Sequence, residues 1–137
     1  SVHESLDENR AKLIPTKTCT LRQISTLGNM WAAFTNRKPF YNYCVHEGNN
    51  TKEDAKRLLE LFDPKVWECT LSVICEKDES VKSSIDRQLD IINEFQKYML
   101  EWGASLRVFN PAGQDDIGGG CGQLWYFQEW LQKNGKV

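Results

Sequence analysis

The chain alternates between segments with helical and strand-like patterns, and this alternation restricts the folds open to it. The predicted elements are, in order, a helix at residues 18–35, a strand at 39–48, a helix from 51, a strand at 66–74, a helix at 85–102, a strand at 104–109 and a last helix near 124–131. Strands that alternate with helices of ten or more residues indicate right-handed βαβ crossovers. We therefore predict an α/β fold with a mostly parallel sheet.

Three strands are few for a complete α/β domain of this kind. The first residues, Ser1, Val2 and His3, could be the tail of a fourth strand. A count this low is natural for part of a barrel.

Local signals define some of the predicted helix ends. Thr51, with Asp54 three residues later, resembles a capping box and predicts a helix start. Gly103 lies where a helix C-cap belongs. Gly28 and Asn29 are poor residues for the middle of the first predicted helix and weaken that prediction.

Size and composition are those of an ordinary domain. The 137 residues predict a single domain over 1–137. The net charge of −2 is unlike the basic footprint of a free-standing nucleic-acid binder. The sequence contains no run of 18 apolar residues, so it predicts no membrane span.

The five cysteines contain no CxxC pair, which disfavours a zinc site or a disulfide framework and indicates a reducing, cytoplasmic location.

Candidate ligand-binding residues follow the strands, because ligands of α/β sheets collect at the carboxyl ends of strands. These segments are residues 1–3, 46–50, 75–76 and 110–122. His46 and Glu47 are adjacent and should point to opposite faces, so they predict an ordinary polar strand end rather than an acid–base pair. His3, taken alone, predicts a surface histidine.

Each cysteine outside the last of these segments has a simple interpretation. Cys44 and Cys69 lie inside predicted strands, where cysteine usually behaves as a small buried apolar residue. Cys19 is expected in the first turn of a helix, exposed to solvent.

The segment DDIGGGCGQL, residues 115–124, surrounds Cys121 with glycine. Glycine allows positive φ and close approach to another group. The segment can be a structural hinge, or a mobile arm that carries a thiol to a reaction partner. The run also resembles a phosphate cradle, but the GxxxxGK[ST] pattern is absent.

This arm resembles the C-terminal signature of the radical S-adenosylmethionine (SAM) methyltransferases that modify adenosine at C2 in 23S ribosomal RNA and in transfer RNA. The matching residues are Asp116, Ile117, Cys121, Gly122, Gln123 and Leu124. SVHESLDENRAKLIP is similar to the family's Ser-Leu-His-Ala strand end and the Asp-Glu-Leu-Arg-x-x-x-x-Pro after it. FYNYCVHEGNNTKEDAKRLLELF and FQKYMLEWGASLRV resemble later segments, so the resemblance covers nearly the whole chain.

The resemblance implies that the chain is the C-terminal part of a partial (β/α)6 radical SAM barrel. Residues 1–110 would form βα units, and residues 111–137 the cysteine arm and the final helix. The family's CxxxCxxC, whose thiolates hold a [4Fe–4S] cluster, has no counterpart here. The cluster-binding N-terminal half is then expected elsewhere, and this chain alone is expected to be inactive and to hold neither cluster nor SAM.

The family mechanism implies specific roles for a few residues. Cys121 would be the methyl carrier, methylated by SAM before the carbon is passed to an adenine. Ser1, Val2 and His3 match the SAM-contacting strand end, whereas Cys75 stands where the family has a further SAM-contacting Asn. The implied partners are ribosomal or transfer RNA and the missing half, with no membrane and with a possible dimer through an exposed sheet edge. The alternative is a binding or regulatory α/β module without a cluster, whose glycine loop is structural.

Overall fold

The computed structural model describes residues 1–72, 74, 80–109 and 129–135, so Cys75, Cys121 and the whole glycine-rich segment 115–124 lie outside the described residues. The elements are α1 (Asp7–Leu13), α2 (Leu21–Thr35), β1 (Phe40–Cys44), α3 (Lys52–Leu61), β2 (Glu68–Ser72), α4 (Val81–Glu101) and β3 (Leu106–Val108). Residues 129–133 are also helical. None of the helices in these described ranges combines the length and the apolar character that crossing a membrane requires.

The three strands form one parallel sheet in the order β1-β2-β3. Tyr43 of β1 lies opposite Leu71 of β2, which lies opposite Val108 of β3. The predictions of an α/β fold and a parallel sheet are confirmed. Because right-handed crossovers between consecutive neighbouring strands return on one side, α3 and α4 share one face of the sheet.

Aromatic side chains fill the space between the sheet and these two helices. The Tyr41 ring stacks on Phe62 with centroids 4.6 Å apart, and Tyr43 stacks on Phe95 at 5.3 Å. All four residues are buried. Side chains alternate across a strand, so the intervening residues of β1 lie on the opposite face of the sheet.

The start of α3 and the end of α4 follow the predicted local signals. Thr51 and Asp54 form the reciprocal bonds of a capping box, and Gly103 has the left-handed φ of +81° after α4. The first predicted helix begins later than expected, at Leu21 with Thr20 as its N-cap. Cys19 therefore precedes the helix instead of lying in its first turn, and it is exposed.

The short helix α1 was not predicted from the sequence. It has seven residues and no side-chain N-cap, so the usual start signal is missing. Its acidic first turn and basic last turn suit the helix dipole. It is held by tertiary contacts, because Asp7 accepts a hydrogen bond from the Leu21 backbone N–H and Arg10 is buried.

The two residues that weakened the prediction of α2 are explained by Trp67. A Cβ added at Gly28 would lie 2.1 Å from Cζ2 and Cη2 of the Trp67 indole, so only glycine admits the ring. The Trp67 Nε1–H donates to Asn29 Oδ1 at 2.7 Å. Gly28 and Asn29 are poor helix formers, but both are needed for the contact between α2 and Trp67, which precedes β2.

We expect Gly28→Ala to destabilise the protein, although alanine in a helix interior normally adds about 1 kcal/mol. Displacement of the Trp67 ring should cost about 1–3 kcal/mol, as overpacking usually does. A thermal melt should show a lower Tm for Gly28→Ala. In a Trp67→Leu background the same change should raise the Tm, and a loss of similar size in both backgrounds would contradict this explanation.

Candidate functional site

Residues 1–3 lie beside the free edge of β1, but they form no fourth strand, because the sheet of the described residues has three strands. The backbone N–H groups of Val2 and His3 both donate to Asn42 O, at 3.0 and 3.2 Å. The Val2 side chain is 1 % exposed and belongs to the core. The segment is thus held against β1 by two hydrogen bonds to one carbonyl and by the burial of Val2.

Arg10 of α1 holds this segment in place. Its guanidinium donates to Val2 O at 3.1 Å and to Ser1 O at 3.2 Å. It also donates to Thr18 Oγ1 and Cys19 O, which lie just before α2. Four acceptors on two segments, residues 1–2 and 18–19, explain how a buried arginine is satisfied. The arginine of the Asp-Glu-Leu-Arg resemblance was the available signal for this residue.

His3 is half-buried and has a left-handed φ of +61°. The expectation of a surface histidine without a partner is wrong, because the Cys44 backbone N–H donates to His3 Nδ1 at 3.2 Å. Burial, followed by the N-terminal amine and Arg10, lowers the pKa of His3. The neutral ring therefore carries its proton on Nε2, which makes that nitrogen a hydrogen-bond donor.

Asn49 joins His3 to the loop after β1. It is fully buried, and its Nδ2 donates to His3 O at 3.0 Å and to Cys44 O at 2.8 Å. Its Oδ1 accepts from the His46 backbone N–H, and its own carbonyl accepts from the Tyr43 hydroxyl. One amide thus determines the path of both chain segments. The sequence placed Asn49 in the candidate segment 46–50 but gave no signal for these contacts.

His46 pairs with Glu4 and not with its neighbour Glu47. Nε2 of His46 lies 2.8 Å from Oε1 of Glu4, whose side chain is 6 % exposed. Nδ1 accepts the Gly48 backbone N–H at 3.0 Å, so the Nε2–H donates to the carboxylate. The prediction that His46 and Glu47 do not cooperate agrees with this arrangement, but the partner from residues 1–5 was not foreseen.

The face of the sheet opposite α3 and α4 is polar. Asn42 lies opposite Thr70 and Cys44 lies opposite Ser72 in the register. The Ser72 hydroxyl donates to Asn42 Oδ1 at 3.1 Å, and its oxygen lies 3.1 Å from Cys44 Sγ. Cys44 is therefore half-buried in a polar row and not in the apolar core, contrary to the prediction.

Cys69 behaves as predicted for a buried cysteine. It is 1 % exposed on the helix-covered face of β2. Burial raises the pKa of its thiol to about 12, although a hydrogen bond with Tyr41 opposes the shift. Cys69 is thus a neutral thiol at physiological pH and a poor nucleophile.

A pocket of about 370 Å³ opens at the same end of the sheet. It is lined by His46 and Glu47 after β1, by Ile74 after β2 and by Arg87 and Gln88 of α4. Gln88 is buried and donates to Ile74 O at 2.6 Å. The carboxyl ends of β1 and β2 therefore border a space for a ligand, with charged groups at its rim.

The described residues of this chain include no set of ligands that fits an iron–sulfur cluster. Within the described ranges, no three His, Cys, Asp or Glu residues are grouped so that they could hold a metal ion. Along the full sequence, no three cysteines have the CxxxCxxC spacing.

Of the residues matched to the SAM-contacting strand end, Ser1 and His3 keep side chains outside the core. Ser1 is exposed and His3 is half-buried, whereas Val2 is enclosed and its backbone N and O are hydrogen-bonded within the protein. Their role toward SAM remains a prediction, as does the role of Cys121, which lies outside the described residues.

One curated relative links the chain to a known class of protein. Over 130 residues the chain is 29 % identical to a Bordetella avium (strain 197N) protein named as a probable RNA methyltransferase. The match covers 90 % of this chain and 35 % of that protein, so the chain spans about a third of the relative's length. No protein-family profile matches the chain.

Proposed function

We propose that this chain is part of a SAM-dependent RNA methyltransferase in which Cys121 carries the methyl group. The observation that supports this most directly is the match to the Bordetella avium protein, which extends over 90 % of the chain. Because that match spans 35 % of the relative, the proposed activity belongs to a polypeptide of the relative's length and not to these 137 residues alone.

More specifically, we propose that the enzyme is a radical SAM methyltransferase that acts on adenosine in ribosomal or transfer RNA. It rests on the arm signature from Asp116 to Leu124 and on the ordered likeness of the other segments. Since the sequence lacks the CxxxCxxC motif, the [4Fe–4S] group of such an enzyme would be held by the remaining part of the polypeptide. The parallel sheet would then be the C-terminal part of a partial barrel.

The rigid end of the sheet suits this function. Residues 1–3 are fixed by Arg10 and Asn49, so the His3 ring has a defined position beside β1. Its neutral Nε2–H can donate to a polar atom of SAM without adding positive charge beside the sulfonium. The polar row of Asn42, Cys44 and Ser72 would face the interior in a barrel, where ligands bind.

Cys121 would act on the methyl group as a nucleophile. Its thiol loses a proton to solvent, its sulfur bonds to the methyl carbon, and the bond between that carbon and the SAM sulfonium breaks. S-adenosylhomocysteine leaves, and the protein keeps a methyl thioether. A sulfur that serves a donor and an acceptor at different times needs a flexible mount, which Gly118, Gly119, Gly120 and Gly122 would supply.

The test uses the full-length gene product purified without oxygen. We expect an oxygen-sensitive brown protein that contains iron and sulfide, cleaves SAM and transfers labelled methyl groups from SAM to adenosine of ribosomal or transfer RNA. RNA methylation without iron would overturn the radical SAM assignment alone. A protein that has no iron and transfers no methyl group would overturn the proposal and favour a binding or regulatory module.

A further inference from the structure

The distribution of charge along the chain differs from its near-neutral total. All nineteen acidic residues lie outside residues 9–46. That stretch contains the basic residues Arg10, Lys12, Lys17, Arg22, Arg37 and Lys38. Five of these six are exposed, the exception being Arg10. The stretch that contains α2 and its flanks is therefore positively charged, although the whole chain is slightly negative.

An open apolar groove lies within this positive region. It encloses about 990 Å³ between α2, the start of β1 and the indole of Trp67. Its lining includes Leu27, Trp31, Phe40 and Trp67, with Arg37 and Lys38 at one side. Trp31 is 44 % exposed and Phe40 is 56 % exposed, so aromatic rings are open to a ligand.

The groove floor is held in a fixed shape. Trp67 is buried, packs on the backbone of Gly28 and donates to Asn29. The Arg107 guanidinium lies 4.9 Å from the Phe40 ring centroid and is paired with Glu68, so it supports the ring and adds no unpaired charge. In the described part of the chain, no carboxylate lies within ion-pair distance of Arg37 or Lys38.

We propose that the groove formed by Trp31, Phe40 and Trp67, with Arg37 and Lys38 beside it, binds a single-stranded segment of RNA. Bases stack on exposed aromatic rings while neighbouring cations contact the phosphates, and this combination is the usual basis of single-strand binding. The choice of RNA rests on the proposed function, and the positive charge of the groove supports an anionic occupant over a neutral apolar protein surface.

The groove is close enough to the candidate site to hold the substrate. Phe40 begins β1 and Cys44 ends it, which places the two ends about 13 Å apart at 3.3 Å per residue. Stacked nucleotides span about 3.4 Å each, so about four of them cover this distance. An RNA anchored in the groove can therefore present another nucleotide at the carboxyl ends of the strands.

Binding is measured with the full-length gene product and a labelled ten-nucleotide single-stranded oligoribonucleotide, at several salt concentrations between 50 and 200 mM. We expect Trp31→Ala to weaken binding about fivefold to a hundredfold, as loss of one base–aromatic stack does. Arg37→Ala/Lys38→Ala should weaken binding and reduce the salt slope by about 1.4, or 0.7 for each phosphate contact. The same oligonucleotide in duplex form should bind less tightly.

Matched controls separate this surface from general effects. Trp102→Ala removes an indole that is 45 % exposed after α4, and Lys56→Ala/Lys97→Ala removes two exposed lysines of α3 and α4. Both should leave binding within about twofold of the wild type. Thermal melts check that each variant is folded.

Three results would overturn the proposal: no binding by the wild type, equal losses in groove and control variants, or groove variants that change only a monomer–dimer equilibrium. The assay needs neither SAM nor iron. If the full-length protein binds RNA but transfers no methyl group, the proposed function is wrong and the groove proposal stands. If the groove variants transfer methyl groups as well as the wild type does, the groove proposal is wrong and the proposed function stands.

Discussion

Cys121→Ala should abolish methyl transfer to RNA by the full-length gene product while its iron content and absorbance stay unchanged. Alanine has no sulfur to accept the methyl group, and the arm contains no second thiol. We expect no labelled methyl groups on RNA above the background of the assay without enzyme. Mass spectrometry of the wild type should also find a methyl group on Cys121.

Three other cysteines, which differ in their exposure to solvent, provide controls. Cys69 is buried with its pKa raised to about 12, Cys44 contacts Ser72, and Cys19 is exposed before α2. Cys19→Ala should retain methyl transfer because no resemblance or contact assigns its thiol a role. Normal methylation by Cys121→Ala would show that the carrier assignment is wrong, even if the protein remains a methyltransferase.

Asp54→Ala should destabilise the fold more than any other single change to an ionisable side chain that we consider. The Asp54 side chain is 7 % exposed, and it accepts from Ser5, from Thr51 and from the Arg57 guanidinium at 2.6 Å. Its removal leaves these donors without their acceptor and opens the α3 capping box. We expect a loss of about 2–4 kcal/mol in unfolding free energy and a Tm lower by roughly 10 °C.

The same contacts give the wild type a defined pH dependence. Burial alone would raise the pKa of Asp54, but hydrogen bonds from Ser5, Thr51 and Arg57 outweigh it, so the pKa lies below its ordinary value of 3.8. A depressed pKa in the folded state contributes stability that is present above pH 3.8 and is lost as the pH falls through the folded value. Urea unfolding between pH 7 and pH 2.5 should show this loss, which the variant should lack.

Asp90→Ala is the matched control for this carboxylate, because Asp90 is exposed on α4. Its unfolding free energy should change by less than about 0.5 kcal/mol. Equal stability of Asp54→Ala and Asp90→Ala would show that the Asp54 network does not hold residues 1–5 against α3.

The local parts of the fold could be predicted because their causes lie within a few residues. The Thr51–Asp54 box and the positive φ of Gly103 each depend on one turn of backbone. The parallel sheet also follows from the alternation of strands with long helices, since each crossover must return the chain in the same direction. The helix α1 escaped prediction because Arg10 stabilises it through residues on other segments.

The candidate site was located by its strand ends but its pairings were not predictable. In the sequence, the acidic residue next to His46 is Glu47. In the structure, however, His46 pairs with Glu4, which is 42 residues away. His3 similarly meets the backbone of Cys44 across 41 residues. Such contacts depend on strand register, which a short segment does not reveal by itself.

The amino-acid sequence by itself determined the α/β class, the capping box of α3, the glycine cap after α4 and the position of the carboxyl ends where a ligand-binding site belongs, because these depend on periodicity and on single turns. Tertiary structure alone decided that Gly28 and Asn29 accommodate Trp67, that Cys44 faces a polar row, and that Arg10 and Asn49 hold residues 1–3. These features arise where distant segments are packed at atomic contact, and packing of this kind depends on all the segments at once.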